Sequence, residues 1–213
     1  MALVSMSSCD KKDEPGSDDP TVDNPTVSSI NININTSSAD VAKAELLNTS
    51  GDLAAEIATA TYQNNKFVLN LPAELDASML SNVELGINDS RVSVSNPQAK
   101  VAVMQVAAYK NDILVGYLVM TEITQNGGKE QAFMYSDRDV SITGDYSDNY
   151  DGIVFRQIYE MHLKKGWNRY YVIVNNTISP TGFTQTVRMT TSAQAGLAWE
   201  IVPNRTNLPL LTK

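Results

Sequence analysis

The chain is poor in the residues that most often carry chemistry. Its 213 residues include one cysteine, Cys9, and one histidine, His162. A single thiol excludes an intramolecular disulfide framework, and one of each residue excludes a Cys/His zinc site. Sixteen lysines and arginines stand against 24 aspartates and glutamates, a net charge of −8. That balance excludes a basic surface of the kind that holds nucleic acid or anionic lipid by charge. No Gly-x-Ser-x-Gly elbow, phosphate-cradling glycine loop or coiled-coil heptad occurs. After Cys9 no apolar run reaches the roughly 20 residues of a membrane-spanning helix. What remains is ordinary for a folded body, with 42% hydrophobic residues in a chain long enough to bury a core.

Cys9 follows Ser7 and Ser8 and a short apolar stretch made by Met1, Leu3, Val4 and Met6. Small residues suit the narrow pocket of a signal peptidase, and the apolar stretch suits the bilayer. The pattern resembles a bacterial lipobox, which implies cleavage before Cys9 and a diacylglyceryl group on its thiol. Residues 1–8 are then the remnant of a signal peptide. They contain no lysine or arginine and are fewer than a signal peptide needs. Either the start lies upstream of Met1, or the motif is accidental and Cys9 is a free thiol in a tail.

Residues 9–27 hold almost no bulky apolar side chain, so burial there cannot offset the entropy of ordering. They read as a disordered acidic tether. Its runs Lys12-Asp13-Glu14 and Ser17-Asp18-Asp19 resemble the export signals that send Bacteroidetes-type lipoproteins to the outer face of the outer membrane. A solvated acidic linker is the plainer alternative.

From Ser28 onward the pattern alternates with period two. Ile30, Ile32 and Ile34 are separated by Asn31, Asn33 and Asn35, the signature of a half-buried strand. Further strands are predicted at Val41–Leu47, Leu53–Tyr62, Lys66–Leu71, Val83–Ile87, Arg91–Ser95, Lys100–Tyr109 and Ile113–Ile123. The series continues with Gln131–Tyr135, Asp139–Thr143, Ile153–Leu163, Arg169–Val174, Phe183–Thr191 and Leu197–Val202. Turn residues lie between them, including Asn64-Asn65, Asn111-Asp112, Asn126-Gly127-Gly128 and Lys165-Gly166. Glu74–Ser81, following Pro72, reads as the one short helix. The expected fold is all-β, built from antiparallel sandwich lobes. Ser95-Asn96-Pro97 suggests a division into lobes at 28–95 and 96–213, although one continuous sandwich fits the same pattern.

The segment Ala42–Asn48, with Ile57-Ala58-Thr59-Ala60 and Lys66-Phe67-Val68-Leu69-Asn70-Leu71-Pro72, resembles the N-terminal half of small Bacteroidetes surface lipoproteins of unknown function. Val115-Gly116-Tyr117, Phe133–Val140, Leu163–Asn168 and Gly196–Trp199 resemble their C-terminal half in the same order. The resemblance implies a transthyretin-like, carboxypeptidase-regulatory-like β unit followed by a second β region. It brings no activity and no catalytic residues.

His162 is the natural catalytic suspect, but the alternation of Ile153–Leu163 sends it outward with Arg156, Glu160 and Lys164. On that register Ile153, Phe155, Tyr159, Met161 and Leu163 share the core face. The oxygen-rich stretch Asp145–Gly152 reads as a solvated hairpin loop rather than a calcium site, since Ile158 stands where a bidentate glutamate is needed. Trp167, Tyr170, Tyr146 and Tyr150 form a candidate ligand platform, while Trp199 reads as core. No catalytic residue, metal or cofactor is expected. The function that follows is a non-enzymatic, lipid-anchored surface protein that binds a partner or builds the envelope. Its partners would be the outer membrane through Cys9 and a glycan or envelope protein. A carbohydrate-binding accessory lipoprotein for glycan uptake is the alternative.

Overall fold

A computed structural model describes residues 26–83, 89–180 and 182–203. Cys9, most of the tether and the greater part of the strand expected at Val83–Ile87 lie outside the described residues. The chain is all-β. The N-terminal strands are β1 (Ser29–Asn33), β2 (Val41–Leu47), β3 (Leu53–Thr61), β4 (Lys66–Asn70), β5 (Ser81–Asn82) and β6 (Val92–Val94). Then come β7 (Lys100–Lys110), β8 (Ile113–Thr124), β9 (Gly127–Ser136) and β10 (Val140–Tyr150). The last four are β11 (Ile153–Leu163), β12 (Gly166–Ser179), β13 (Gly182–Thr190) and β14 (Ala198–Val202). Within the segment read as a short helix, a single 3₁₀ turn forms at Ala77–Met79, capped by Asp76, whose carboxylate accepts from Ser78 N.

β1 and β4 pair as a separate ribbon, while the other strands form one large sheet in the order β3-β2-β7-β8-β9-β12-β13-β11-β10-β6. β14 adds to β8 and β5 to β7. Asn64-Asn65 and Asn111-Asp112 turn with positive φ at both residues, the geometry that matches strand twist in tight hairpins. β2 pairs with β7 from Val41↔Tyr109 to Leu47↔Val103, so the two lobes expected on either side of Ser95 share a sheet.

Two hydrophobic cores lie on opposite sides of a central layer. In the first, Ile30, Ile32, Phe67 and Leu69 of the ribbon pack against Ala42, Ala44 and Leu46 of β2. Met104, Phe133, Tyr135 and Trp167 extend this core. Val27, read as the end of the tether, is buried there and its N–H donates to Trp167 O at 2.8 Å. In the second, Val140, Ile142, Met161, Leu163 and Met189 meet Ala132, Met134, Tyr170 and Val172. β9 and β12 therefore bury both faces, which is why their sequences lack clean polar alternation.

The crossing from β11 to β12 takes only Lys164 and Lys165, yet β13 lies between the two strands in the sheet. The chain arches from one layer to the other. Asn168, fully buried, holds this arch: its Nδ2 donates to Lys164 O and Gly166 O, and its Oδ1 accepts from Lys164 N at 2.8 Å. Because β12 then returns through a hairpin, β13 runs parallel to β11. The tips of hairpins β8–β9, β10–β11 and β12–β13 gather at one rim, where Asn176 N donates to Asn126 O and Phe183 N to Gly152 O.

Candidate functional site

The second core fills only half of the face it occupies. β10 and β11 join through Asp151-Gly152, with φ of 52° and 84°, so Tyr150 and Ile153 face each other at the rim. Three cross-strand rows run from there toward the core. The outermost is Tyr150, Ile153, Phe183 and Ile178. The second is Asp148, Phe155, Gln185 and Asn176. The third, Tyr146, Gln157, Val187 and Val174, borders the packed interior. Period-two alternation puts all three on the face that carries Met161 and Leu163 further down.

Side chains in the outer rows remain in solvent. Tyr150 is 65% exposed, Phe155 40% and Ile178 86%. The rings of Tyr150 and Phe155 lie 6.4 Å apart, tilted by 55°. Polar groups are interleaved. Gln185 Nε2 donates to Asn176 Oδ1 at 3.1 Å, and Gln157 Oε1 accepts from both Tyr146 Oη and Tyr159 Oη. Burial raises the Tyr159 phenol well above its ordinary range, with Tyr146 adding to the shift.

One margin is closed by an arginine. Arg91 binds Asp89 through Nε and Nη2 at 2.9 and 2.7 Å, and Asp148 through Nη1 and Nη2 at 3.0 and 3.1 Å. Its guanidinium lies 4.1 Å from the centre of the Tyr146 ring, a cation–π arrangement. The hydrogen bonds from the Arg91 side chain, then from its backbone N–H, pull the Asp89 carboxyl down to about 2. On the opposite face of the same strands, Arg156 pairs with Asp145 and Arg188 with Glu160.

Two members of the expected platform are misplaced. Trp167 is 2% exposed and Tyr170 1%, so neither can stack on a ligand. Gly166 opens not a surface hairpin but the inter-layer arch, which carries β12 straight through the molecular centre. Trp167 joins the first core, edge-on to Tyr135 at 5.4 Å, with Nε1 donating to Pro72 O at 2.9 Å. Tyr170 points into the second, where its hydroxyl has no hydrogen-bond partner among the described residues. Tyr146 and Tyr150 do lie on the open face. Trp199, read as core, packs against the first core but is only half-buried, because β14 is an added edge strand paired with β8. It borders a cavity of about 20 Å³ beside Met104, Val106, Leu118 and Phe133.

The stretch Asp145–Tyr150 is paired strand rather than loop, leaving Asp151 and Gly152 as the turn. Asp145 and Asp148 consequently point to opposite faces. No group of three or more His, Cys, Asp or Glu gathers among the described residues. His162 faces outward as its register implied, and its Nδ1 lies 3.0 Å from Ser141 Oγ across the β10–β11 pair. The sequence did not single out Ser141, Phe155 or Ile178 for the surface. Nor did it single out Glu45, a buried carboxylate that accepts from Gln105 Nε2 and Tyr109 Oη, both at 2.9 Å. Burial, followed by the hydrogen bond to Glu45, pushes the Tyr109 phenol up to about 12.

Fold and face together define an all-β protein in which nothing among the described residues covers the outer rows of β10, β11, β12 and β13. No family model, curated protein or solved structure matches the chain.

Proposed function

We propose that the chain is a lipid-anchored, non-enzymatic binding protein on the outer face of a bacterial outer membrane, held through Cys9. The observation that supports this reading is the polarity of the body. The chain joins it at Val27, bonded to Trp167 at the start of β12. The uncovered face lies at the other end, around Ile178. Eleven residues of strand separate Trp167 from Ile178, a span of about 36 Å. An anchor on the N-terminal side would therefore hold the open face toward the medium.

The test is metabolic labelling with a fatty-acid probe in the native cell. The wild-type chain is expected to carry label and partition with membranes, since two or more acyl chains give stable anchoring. Cys9→Ala is expected to lose both. A wild-type chain without label would remove the anchor from this reading.

A further inference from the structure

We propose that the uncovered rows at the rim bind a short, neutral, hydroxyl-rich chain, an oligosaccharide. The inference rests on the surface-binding reading above and names the ligand class of that face.

Charge is the first argument. The protein carries −8 overall, and at the margin of this face a single arginine, Arg91, is held between two carboxylates, Asp89 and Asp148, which leaves one negative charge in excess. The other pairs on these strands, Asp145 with Arg156 and Glu160 with Arg188, lie on the opposite face. An anionic ligand would be repelled by this excess, whereas a neutral one is not.

Area is the second. Four strands spaced about 4.8 Å apart, crossed by two open rows about 6.7 Å apart, give a face of about 250 Å². A stable protein partner or a second copy needs about 800 Å² on each side. The face is about a third of that, and it suits a few linked rings.

Surface chemistry is the third. Sugar rings present apolar C–H faces bounded by hydroxyls, so they need flat apolar surface with a few oriented polar groups beside it. Tyr150 and Phe155 supply exposed rings, and Asn176 and Gln185 lie in the adjoining positions. The bond from Gln185 Nε2 to Asn176 Oδ1 uses one donor and one lone pair. Each amide carries two N–H donors and two acceptor lone pairs, so the pair retains capacity for vicinal hydroxyls.

The full-length chain is tested on an array of oligosaccharides two to eight units long, neutral members beside uronic and sulfated ones. Titration calorimetry follows with the strongest neutral binder. Neutral members are expected to bind, with Tyr150→Ala and Phe155→Ala each weakening affinity by about tenfold or more. Phe155→Tyr, which keeps the ring, is expected to retain binding. Ile113→Ser, at an exposed hairpin tip outside the rows, should leave it unchanged. Circular dichroism checks that each variant folds. Preference for acidic members, no binding by the folded chain, or binding that survives the double Tyr150→Ala/Phe155→Ala change would overturn the inference. So would self-association abolished by Ile178→Asp, which would give the face to a second copy. A chain that takes fatty-acid label but binds no glycan sinks this inference alone; one that binds glycan without label sinks only the anchor.

Discussion

β11 contains two regions with the same pattern and opposite fates. Its lower half, Tyr159, Met161 and Leu163, is buried in the second core. Its upper half, Ile153 and Phe155, continues the same alternation on the same face and stands in solvent. The chemistry of the residues does not separate them. What differs is the layer opposite: β7, β9 and the start of β12 cover the lower half, and nothing among the described residues covers the outer rows. Apolar alternation therefore specifies which side of a strand faces inward in the sheet's curl, not how far along the strand that side is covered.

The largest effects are expected where cover is complete on both sides. Trp167→Ala should cost about 3–5 kcal/mol, because it removes a buried indole, its hydrogen bond to Pro72 and its contact with Tyr135. Chemical denaturation with a constant m-value measures this. A loss below about 1 kcal/mol would show that the first core does not depend on β12. Met161→Ala should cost about 2–5 kcal/mol on the same grounds, scaled to a smaller side chain.

These contrasts show what was legible beforehand. β2 and β11 have the limits predicted from period two, at Val41–Leu47 and Ile153–Leu163. The tight turns at Asn64-Asn65 and Asn111-Asp112 follow from residues that tolerate positive φ. Local chemistry decides such features, so local sequence displays them. The placement of Trp167 was not legible, because it depends on an arch held by Asn168 through contacts that no periodicity encodes. Trp199 was read rightly as packing on the core, though it is only partly buried there. Its alternation is regular, but it lies on an added edge strand. Of the candidate platform, Tyr146 and Tyr150 were read within a hairpin loop and share a face only because β10 runs on to Tyr150, while Phe155, Gln185, Asn176 and Ile178 join them through the β11–β13 and β12–β13 pairings.

That pairing offers a sharper break of the comparison. Gly182 has φ +154°, and a Cβ there would approach Gly152 O to 2.2 Å. Gly182→Ala should force the β10–β11 and β12–β13 tips apart and cost about 1–3 kcal/mol. Hydrogen exchange should locate the loss: amides near Phe183 and Val154 should exchange faster while those of Leu163 and Val172 remain protected. Uniform loss across both halves would mean that the rim and the packed half unfold as one unit.

The smallest stability effect should come from Phe155→Ala. Phe155 and Met161 lie three alternations apart on one strand face, so their truncation compares covered with uncovered sheet at constant backbone. Phe155 touches Tyr150 but has 40% of its surface in water, and truncation there leaves no closed cavity. The transfer term is therefore reduced and the cavity term is absent. The expected loss is under about 1 kcal/mol, against the several expected for Met161→Ala. Denaturant melts of the two variants measure the difference directly. A Phe155 loss as large as that of Met161 would show that the outer rows are covered in solution and would close the open face. A small loss joined to weakened oligosaccharide binding would mean that this ring serves a ligand more than the fold.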